Sequence, residues 1–432
     1  MFLTDLIVKR TEELTGTVTA PPSKAHTHRA VIAASLSDGQ SNIKNPLICD
    51  DTLATMNGCT MLGARISRGK DYLEVEGLLK PNTPENVVDC GGSGSTIRFL
   101  TPICAVAEGI SVLTGSKSLR GRPMQPLLDA LVQLGVRCYS SRLDGFPPII
   151  VFGDGIKGGK AAIRGDTSSQ FISGLLLATP LAENETQLLL TTRLESKPYV
   201  SVTVDVLSKH SIELDFQLDR GRFSIPPMQR YTPFDHNIEG DYSSAAFLLA
   251  AAALVNSDVR IEGLKRETAQ GDRVILGILN EMGAHIQAHE DCIEIRGNVH
   301  NLSGVEVDLK DNPDLVPVCA TVASFARGRT AITGIKRLRF KESDRISSLS
   351  SELTKLGVDT KVLDDQLLIE GMETAKGVEL DSHGDHRIAM ACAVAALRAE
   401  GKTIVHGIEC ISKSYPNFAK DLLSLGGNLV ER

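Results

Sequence analysis

The chain repeats one pattern six times along its length. Five amphipathic segments end in an apolar residue followed by glycine, at Gly63, Gly135, Gly283, Gly357 and Gly426. A sixth segment, Tyr199–Lys209, ends at His210-Ser211 without the glycine, and the interval between ends is roughly 70 to 76 residues. Glycine in this position adopts the left-handed conformation that terminates a helix. Because strand-like sequence follows each end, we expect six copies of one α/β unit.

A second set of helices recurs at the same interval and is almost wholly apolar. Helices that are apolar all round are buried, so this set is expected to form the core. Their polar residues cluster at the first turn, where unpaired N–H groups carry partial positive charge that suits phosphate or carboxylate. Ser, Thr and Asp there also cap helices, but six such starts with added Lys, Arg and His favour anion binding. The starts are Lys24–Arg29, Gly94–Arg98, Thr167–Gln170, Asp241–Ser244, Pro313-Asp314 and Asp385–Arg387.

The most densely charged stretch, Arg337–Arg345, leads into the amphipathic helix that ends at Gly357. That helix needs only a cap, for which Ser343 is suitable, and an acidic residue near its start. It does not need Lys341, Glu342 and Arg345 so close together. A carboxylate among cations can exchange protons while the cations bind an anion.

The length of the chain and the position of its proline-rich segment indicate two domains. With 432 residues the chain is too long for one core. Three repeats precede the segment Ser224–His236 and three follow it, so a linker is expected there. A second crossing is expected near Thr19–Ser23. We therefore predict one domain from residues 1–20 and 237–432, and another from residues 21–236.

The composition restricts the class of partner. The net charge is −7 and only 4% of residues are aromatic, which argues against nucleic-acid binding. The longest apolar run, Ala245–Val255, is too short to cross a bilayer, and the N-terminus lacks a signal-peptide layout. The nine cysteines are scattered without a CxxC pair, which is typical of reduced thiols. We expect a soluble cytoplasmic protein that binds neither membrane nor nucleic acid.

Nine motifs, in their order and spacing, resemble the 5-enolpyruvylshikimate-3-phosphate synthase family of enolpyruvyl transferases along nearly the whole chain. The motifs are Pro22–Lys24 with Arg29, Gly91–Arg98, Leu119–Pro123, Gly165–Phe171, Ser196–Tyr199, Asn312–Asp314, Lys341–Arg345, Asp385–Arg387 and Lys413. The resemblance implies an α/β fold, a two-domain inside-out α/β barrel of six βαβαββ repeats, three per domain, with buried helices. It also implies two crossings between domains and helix N-termini that face the cleft.

The same resemblance implies the reaction. Members transfer the enolpyruvyl group of phosphoenolpyruvate to the 5-hydroxyl of shikimate 3-phosphate through a tetrahedral intermediate, release phosphate, and use no metal or organic cofactor. Glu342 would protonate C3 and later remove that proton, Asp314 would accept the hydroxyl proton, and Lys24 would share the proton transfers. Carboxylates that switch between acid and base suit this addition and elimination.

Two further sets of residues are implied to bind the substrates, since together these carry two phosphates and two carboxylates. Arginine suits such groups because its planar guanidinium binds them bidentately. The residues for shikimate 3-phosphate are Lys24, Ala25, Arg29, Ser168, Ser169, Gln170, Ser196, Tyr199, Asp314, Arg337 and Lys341. Those for phosphoenolpyruvate are Lys24, Gly94, Arg122, Gln170, Arg345, Arg387 and Lys413.

The chain departs from the family pattern at several positions. Ala25 stands where the family usually has serine, and Gly92 where it usually has asparagine, while Arg337 and Leu338 occupy variable positions. These changes concern affinity rather than the reaction. Gly94 matches the glycine against which glyphosate presses in sensitive members, so glyphosate sensitivity is expected.

Three alternatives to this reading remain. The sister UDP-N-acetylglucosamine enolpyruvyl transferases share the repeat but usually carry a reactive cysteine in the loop that matches Gly115–Met124, where this chain has none. A non-catalytic phosphosugar-binding module explains the cations but not Glu342 together with Asp314, and a purely structural repeat leaves the helix starts unexplained.

His26 and His28 are two residues apart and face different sides of a helix, so no metal site is predicted. The internal symmetry favours a monomer.

Overall fold

The computed structural model of the protein describes residues 4–432. The chain divides into two compact units, one made of the chain up to Pro21 with Glu239–Arg432, the other of Pro22–Ile238. Residues 1–3, which belong to the predicted segment 1–20, lie outside the described residues. The predicted proline-rich linker is well ordered, because it contains parts of two strands and the buried side chain of Tyr231.

Each repeat contributes one buried and one amphipathic helix, as the sequence predicts. Within residues 4–432 the α-helices are α1 (Lys24–Ser35), α2 (Asp50–Met61), α3 (Gly94–Cys104), α4 (Gln125–Gln133), α5 (Ser169–Ala178), α6 (Lys197–Lys209), α7 (Tyr242–Leu254), α8 (Ile275–Met282), α9 (Val316–Ala323), α10 (Arg345–Lys355), α11 (His386–Ala396) and α12 (Phe418–Ser424).

The strands are short and follow one another between these helices. They are β1 (Leu6–Lys9), β2 (Glu13–Thr19), β3 (Gln40–Lys44), β4 (Arg65–Arg68), β5 (Tyr72–Glu76), β6 (Val88–Asp89), β7 (Glu108–Thr114), β8 (Arg137–Ser140), β9 (Ile149–Asp154), β10 (Gly159–Ile163), β11 (Thr186–Leu190), β12 (Asp215–Gln217), β13 (Arg222–Ile225), β14 (His236–Asn237), β15 (Asn256–Glu262), β16 (His285–Ala288), β17 (Cys292–Arg296), β18 (Glu306–Asp308), β19 (Arg329–Thr333), β20 (Asp359–Val362), β21 (Gln366–Glu370), β22 (Ala375–Lys376), β23 (Glu379–Asp381), β24 (Ala399–Glu400), β25 (Lys402–His406) and β26 (Leu429–Glu431).

The strands form six four-stranded sheets in the described part of the chain, one for each repeat. In β10-β11-β13-β12, the first two strands are parallel and the other neighbouring pairs are antiparallel. The other five sheets have the same order of parallel and antiparallel pairs. The predicted βαβαββ repeat is therefore confirmed.

Three sheets are completed by distant parts of the chain, and in one of them β2 pairs in parallel with β15 of the fourth repeat. Strand β14, which follows the third repeat, pairs in parallel with β3 of the first. Strand β1 lies between β25 and β26 of the last repeat. Each set of three repeats is thus closed by a strand from the segment that enters or leaves it.

The apolar helices form the core of each unit, and the sheets lie outside them. In the unit 22–238 the core contains α1, α3 and α5, and in the other unit it contains α7, α9 and α11. Helix α7 has twelve buried residues out of thirteen. Strand β15 instead alternates buried and exposed residues, as expected for a sheet with one face on the core. The inside-out α/β arrangement is confirmed.

The ends of the amphipathic helices have the predicted conformation. All five glycines have positive φ, from 84° at Gly135 to 114° at Gly283, and Ser211 takes the same left-handed region with φ of 61°. The start predicted for α10 is wrong by one residue. Asp344, not Ser343, caps the helix, because its carboxylate accepts the backbone N–H of Ser347.

Two further observations concern the cysteine side chains and the lengths of the helices. All nine cysteines are buried and outside any disulfide within residues 4–432. None of the helices in this range combines the length and the apolar character needed to span a bilayer.

A glycine at the end of a strand marks four of the repeats. Gly77, Gly153, Gly297 and Gly371 each lie against backbone carbonyl oxygens at the C-terminal end of the buried helix of their repeat. A Cβ built on Gly371 would overlap with the carbonyl oxygen of Ala326. Glycine is needed here because the strand and the helix end approach too closely for any side chain.

We predict that Gly371→Ala destabilises the protein by about 2–4 kcal/mol, because the added methyl meets backbone and cannot be accommodated by a rotamer change. The measurement is the free energy of unfolding by denaturant, compared with that of the wild-type chain.

The matched control is Gly277→Ala in the middle of α8, where a Cβ would have no neighbour within 4 Å. That variant is expected to gain about 0.5–1 kcal/mol, because alanine favours the helix. Equal effects of the two substitutions would contradict the close-approach argument.

Candidate active site

The guanidinium of Arg345, at the end of the densely charged stretch Arg337–Arg345, lies at the centre of a cluster of carboxylates. Arg345 is the first residue of α10. This side chain is 1% exposed. Its Nε lies 2.9 Å from Oδ2 of Asp385, its Nη1 3.0 Å from Oδ1 of Asp314, and its Nη2 2.7 Å from Oε2 of Glu342. A cation so deeply buried requires such partners, because burial without them carries a large desolvation cost.

Asp385 connects Arg345 with the start of α11. Its carboxylate is fully buried, caps the helix, and accepts the backbone N–H of Arg387 at 2.9 Å. The side chain of Arg387 turns back to Asp314, with Nη2 3.0 Å from Oδ2. Asp385 was not predicted to bind or react, although its position in the motif before Arg387 is the signal that could have revealed a role.

Asp314 lies among three cations. Besides Arg345 and Arg387, the ammonium of Lys341 lies 3.6 Å from its Oδ1. Burial by itself raises the pKa of Asp314, but Arg387, Lys341 and Arg345 outweigh burial and hold the pKa well below its usual range. The carboxylate is therefore ionised at neutral pH.

The cations of this cluster respond differently to burial. Burial lowers the pKa of Lys341 to about 8, although Asp314 acts in the opposite direction. Burial also acts to lower the pKa of Arg345, but Asp385, Glu342 and Asp314 together raise it above its usual value. Lys341 is therefore the cation of this cluster that can lose its charge near physiological pH.

A second buried carboxylate adjoins the cluster. Asp272 accepts hydrogen bonds from the hydroxyl of Ser243 and, at 2.9 Å, from the side-chain amide of Asn312. Burial and the nearby charge of Asp314 raise the pKa of Asp272. Asp272 was not predicted from the sequence, because it lies in a single turn of 3-10 helix, Gly271–Val274, in the polar connection between β15 and α8.

Two predicted cations of this unit lie at the edge of the Arg345 cluster. A guanidinium N–H of Arg337 donates to the backbone carbonyl of Lys310, and the charge of Arg337 helps to lower the pKa of Lys341. The ammonium of Lys413 donates to the backbone carbonyl of Gly384 at 3.0 Å. Lys413 thus contacts the turn that leads into Asp385.

In the unit 22–238, Lys24 is the first residue of α1, and Ser23 caps the helix. The ammonium of Lys24 lies 3.0 Å from Oδ2 of Asp51, at the start of α2. Asp51 is buried and was not predicted as a site residue.

Arg29 is more fully engaged within the protein than the sequence suggests. Its side chain is buried, and its N–H groups donate to Thr203, Ser173 and the backbone carbonyls of Ala25 and Tyr199. A guanidinium has five N–H donors, and four hydrogen bonds are made here. Bidentate binding of a carboxylate would require at least one of these bonds to break. Burial lowers the pKa of Arg29 to about 10.

The start of α5 brings together three predicted residues. Ser168 caps the helix and Ser169, which is buried, is its first residue. The side-chain amide of Gln170 accepts from Nη1 of Arg98 at 2.6 Å and donates to Ser95 at 2.8 Å. Arg98 was part of a motif but received no role, whereas its guanidinium orients Gln170.

Ser196 and Tyr199 lie at the start of α6. Ser196 has φ of 56°, in the left-handed region that is uncommon for a residue with a side chain, and is 3% exposed. Tyr199 accepts an N–H of Arg29 through its backbone carbonyl at 3.0 Å. The starts of α1 and α6 are therefore linked through Arg29.

Gly94 opens α3, which is capped by Ser93, and lies beside Arg122. A Cβ built on Gly94 would be 2.9 Å from Nη1 of Arg122. The guanidinium of Arg122 is largely buried, at 6% exposure. The absence of a side chain at Gly94 allows this guanidinium its present position.

The sequence of the chain matches a known protein family. The model of the EPSP synthase (3-phosphoshikimate 1-carboxyvinyltransferase) family matches residues 8–422. The chain belongs to this family.

Curated relatives agree with the family model over the full length. A 3-phosphoshikimate 1-carboxyvinyltransferase of Methanocaldococcus jannaschii is 47% identical over 428 residues, covering 98% of this chain and 99% of the relative. Another of the same name, from Methanothermobacter thermautotrophicus, is 46% identical and covers 98% of both chains.

Solved structures have the same fold. The EPSP synthase of Acinetobacter baumannii superposes with a TM-score of 0.83 at 26% identity, covering 100% of both chains. The enolpyruvyl transferase NikO of Streptomyces tendae has a TM-score of 0.80 at 19% identity and covers 100% of this chain and 99% of its own. The second likeness concerns the fold alone.

We predict that Arg345→Met lowers the free energy of unfolding by about 3–5 kcal/mol, because it leaves buried carboxylates without a cation. The difference from the wild type should shrink as the pH falls toward about 4, since protonated carboxyl groups no longer need a counter-charge. Calorimetric unfolding of both proteins at several pH values measures this.

The control is Arg339→Met, which removes an ion pair of 3.3 Å with Asp344 between side chains exposed by 33% and 40%. An effect of at most about 1 kcal/mol is expected, as for a partly exposed pair. A cost for Arg345→Met no larger than that of the control would contradict the burial argument.

Proposed function

We propose that this chain transfers the enolpyruvyl group of phosphoenolpyruvate to the 5-hydroxyl of shikimate 3-phosphate and releases phosphate. In the addition step the hydroxyl oxygen bonds to C2 of phosphoenolpyruvate and a proton is added to C3. In the elimination step C3 loses a proton and phosphate leaves C2. The observation that carries this proposal is the full-length membership of the EPSP synthase family.

The first experiment is turnover by the purified full-length chain, followed as released phosphate. Phosphate is expected only when phosphoenolpyruvate and shikimate 3-phosphate are both present. Release with UDP-N-acetylglucosamine in place of shikimate 3-phosphate would support the sister reaction instead. Binding of shikimate 3-phosphate without phosphate release would support a non-catalytic module.

We further propose that Asp314 and Glu342 carry out the proton transfers. Asp314 accepts the proton of the attacking hydroxyl, and Glu342 donates to C3 and later accepts from it. The contacts of both carboxylates with Arg345, at 3.0 and 2.7 Å, support this assignment because they fix the two groups beside one buried cation. Lys24, held by Asp51, shares the proton transfers in this proposal.

Anionic substrates should change the basicity of Asp314. Arg387, Lys341 and Arg345 hold the pKa of Asp314 well below its usual range, which makes the carboxylate a weak base. A phosphate or carboxylate that binds Arg387 or Lys341 offsets part of their charge at Asp314. We propose that substrate binding thereby raises the pKa of Asp314 toward the range in which it can accept a proton.

The remaining residues are proposed to bind the substrates. For phosphoenolpyruvate they are Lys24, Gly94, Arg122, Gln170, Arg345, Arg387 and Lys413. For shikimate 3-phosphate they are Lys24, Ala25, Arg29, Ser168, Ser169, Gln170, Ser196, Tyr199, Asp314, Arg337 and Lys341. Buried serines at helix starts support a phosphate at Ser169 and Ser196. We also propose a cytoplasmic monomer, with neither nucleic acid nor membrane as a partner.

We predict that Glu342→Gln lowers kcat by roughly 10²- to 10⁴-fold, because the amide can neither donate nor accept the C3 proton. The measurement is steady-state phosphate release, together with the dissociation constant of shikimate 3-phosphate, which should stay close to that of the wild type.

Glu306→Gln, at an exposed position of β18, serves as the control and should leave kcat unchanged. If Glu342→Gln turned over at nearly the wild-type rate, Glu342 would have no part in the proton transfer.

We predict that kcat/KM for shikimate 3-phosphate falls as the pH rises through about 8, where Lys341 loses its proton. Lys341→Arg should move this decline to higher pH, because arginine stays charged. The lowered pKa also has a consequence for folding. The unfolded chain binds more protons than the folded chain between about pH 8 and 10, so this group adds stability as the pH rises there.

The matched control is Lys336→Arg, at a side chain that is 64% exposed and paired with Asp364. Its pH profile should coincide with that of the wild type. An unchanged alkaline decline in Lys341→Arg would show that another group is responsible.

A further inference from the structure

Glu352 is a buried carboxylate that none of the proposed steps uses. It lies on α10 seven residues after Arg345, and both side chains are 1% exposed. Seven residues are about two helical turns, so the two side chains lie on the same face of the helix. One buried cation and one buried anion are thus held at a fixed distance by a single rigid element.

Two of the four hydrogen bonds that Glu352 accepts come from a segment outside its own helix. Its Oε1 accepts from Nε2 of His383 at 2.8 Å, and its Oε2 accepts the backbone N–H of Asp381 at 2.9 Å. The ammonium of Lys355, one turn further along α10, also contacts both oxygens. Lys355 balances the charge, but it does not account for the two bonds to the segment 381–383.

That segment joins the end of β23 to the turn Ser382–Asp385, which precedes α11. His383 and Gly384 follow one another in the left-handed region, with φ of 52° and 64°. This conformation is uncommon for a residue with a side chain and persists where surrounding contacts impose it. Ser382 supplies some of those contacts through bonds to the carbonyls of His406 and Gly407, and Glu352 supplies the bond to the side chain of His383.

The turn presents two groups to proposed substrate-binding cations. The carbonyl of Gly384 accepts the ammonium of Lys413 at 3.0 Å. The carboxylate of Asp385 accepts Nε of Arg345 at 2.9 Å and the backbone N–H of Arg387 at 2.9 Å. Helix α10 therefore holds the turn at both ends, through Glu352 before it and through Arg345 after it.

We infer that Glu352 is a positioning residue, which fixes the turn Ser382–Asp385 and thereby the cations Lys413, Arg387 and Arg345 for phosphoenolpyruvate. The assignment of these cations rests on the proposed function, whereas the fixing of the turn does not. Loss of the two bonds to Glu352 removes none of the three cations. It allows the carbonyl of Gly384 and the carboxylate of Asp385, which orient the cations, to move. The effect should fall on phosphoenolpyruvate rather than on shikimate 3-phosphate.

The test uses two variants of the full-length chain. Glu352→Gln keeps the size of the side chain, but an amide cannot accept from both His383 and Asp381 N–H through two oxygens. His383→Asn removes the ring that reaches Glu352, while asparagine tolerates the left-handed conformation. In both, KM for phosphoenolpyruvate should rise about 10-fold, with kcat and the dissociation constant of shikimate 3-phosphate within about twofold of the wild type.

Hydrogen exchange provides a second readout that does not depend on turnover. The backbone N–H groups of residues 381–387 should exchange faster in both variants, while those of the α7 core should not change. The matched control is Lys355→Met. It removes an ammonium that donates to Glu352 and not to the turn, within the described residues. It should change neither KM for phosphoenolpyruvate nor the exchange of the turn.

The outcomes separate this inference from the proposed function. If the wild type fails to turn over, the proposed function is wrong, and the exchange of residues 381–387 still decides whether Glu352 fixes the turn. If the wild type turns over and both variants keep its KM for phosphoenolpyruvate, the inference is overturned. It is also overturned if KM values for both substrates rise equally together with a general loss of stability, as expected for a purely structural role. If Glu352→Gln does not fold, His383→Asn decides the question.

Discussion

The guanidinium of Arg345 is the interaction on which the arrangement of the candidate site depends. It contacts Asp314, Glu342 and Asp385, which come from three separate segments of one unit. A buried guanidinium is stable only with such partners, and each buried carboxylate in turn requires the cation. Helix α10, the start of α11 and the turn before α9 are therefore held in fixed positions relative to one another. The two carboxylates proposed for proton transfer are oriented by the same contact that stabilises the fold.

Most of the repeat could be predicted because its signals are local. Apolar periodicity identified both sets of helices, and the glycines that end them follow from the left-handed cap. The closure of the sheets could not be read in this way. Strands β1 and β14 pair with partners from distant repeats, and strand pairing over such separations leaves no local pattern. The close approach at Gly371 was also missed, because it depends on where the end of a buried helix lies.

The charged residues around Arg345 could be singled out from the sequence, but most of their pairings could not. The motif around Arg345 and the start of α1 contain charged residues that folding alone does not need. Glu342 lies three residues from Arg345, but other carboxylate partners lie 27 to 40 residues away along the chain, as in Lys24 with Asp51 and Arg345 with Asp385. The residue that caps α10 also depends on side-chain geometry, and it is Asp344 instead of the predicted Ser343. Arg29 was predicted as a ligand of a carboxylate, and the number of its internal bonds became visible only in the structure.

The charges that contact one another around Arg345 are equal in number. Lys341, Arg345 and Arg387 lie beside Asp314, Glu342 and Asp385, so these contacts join three cations and three carboxylates. An anionic substrate that binds one of these cations must compete with a carboxylate for it. A carboxylate that loses part of its counter-charge becomes more basic. Anion binding and proton transfer are then coupled through the same contacts, and Asp314 would gain basicity when a substrate is present to use it. This coupling explains physically why the proposed acid–base groups lie within the anion-binding cluster instead of beside it.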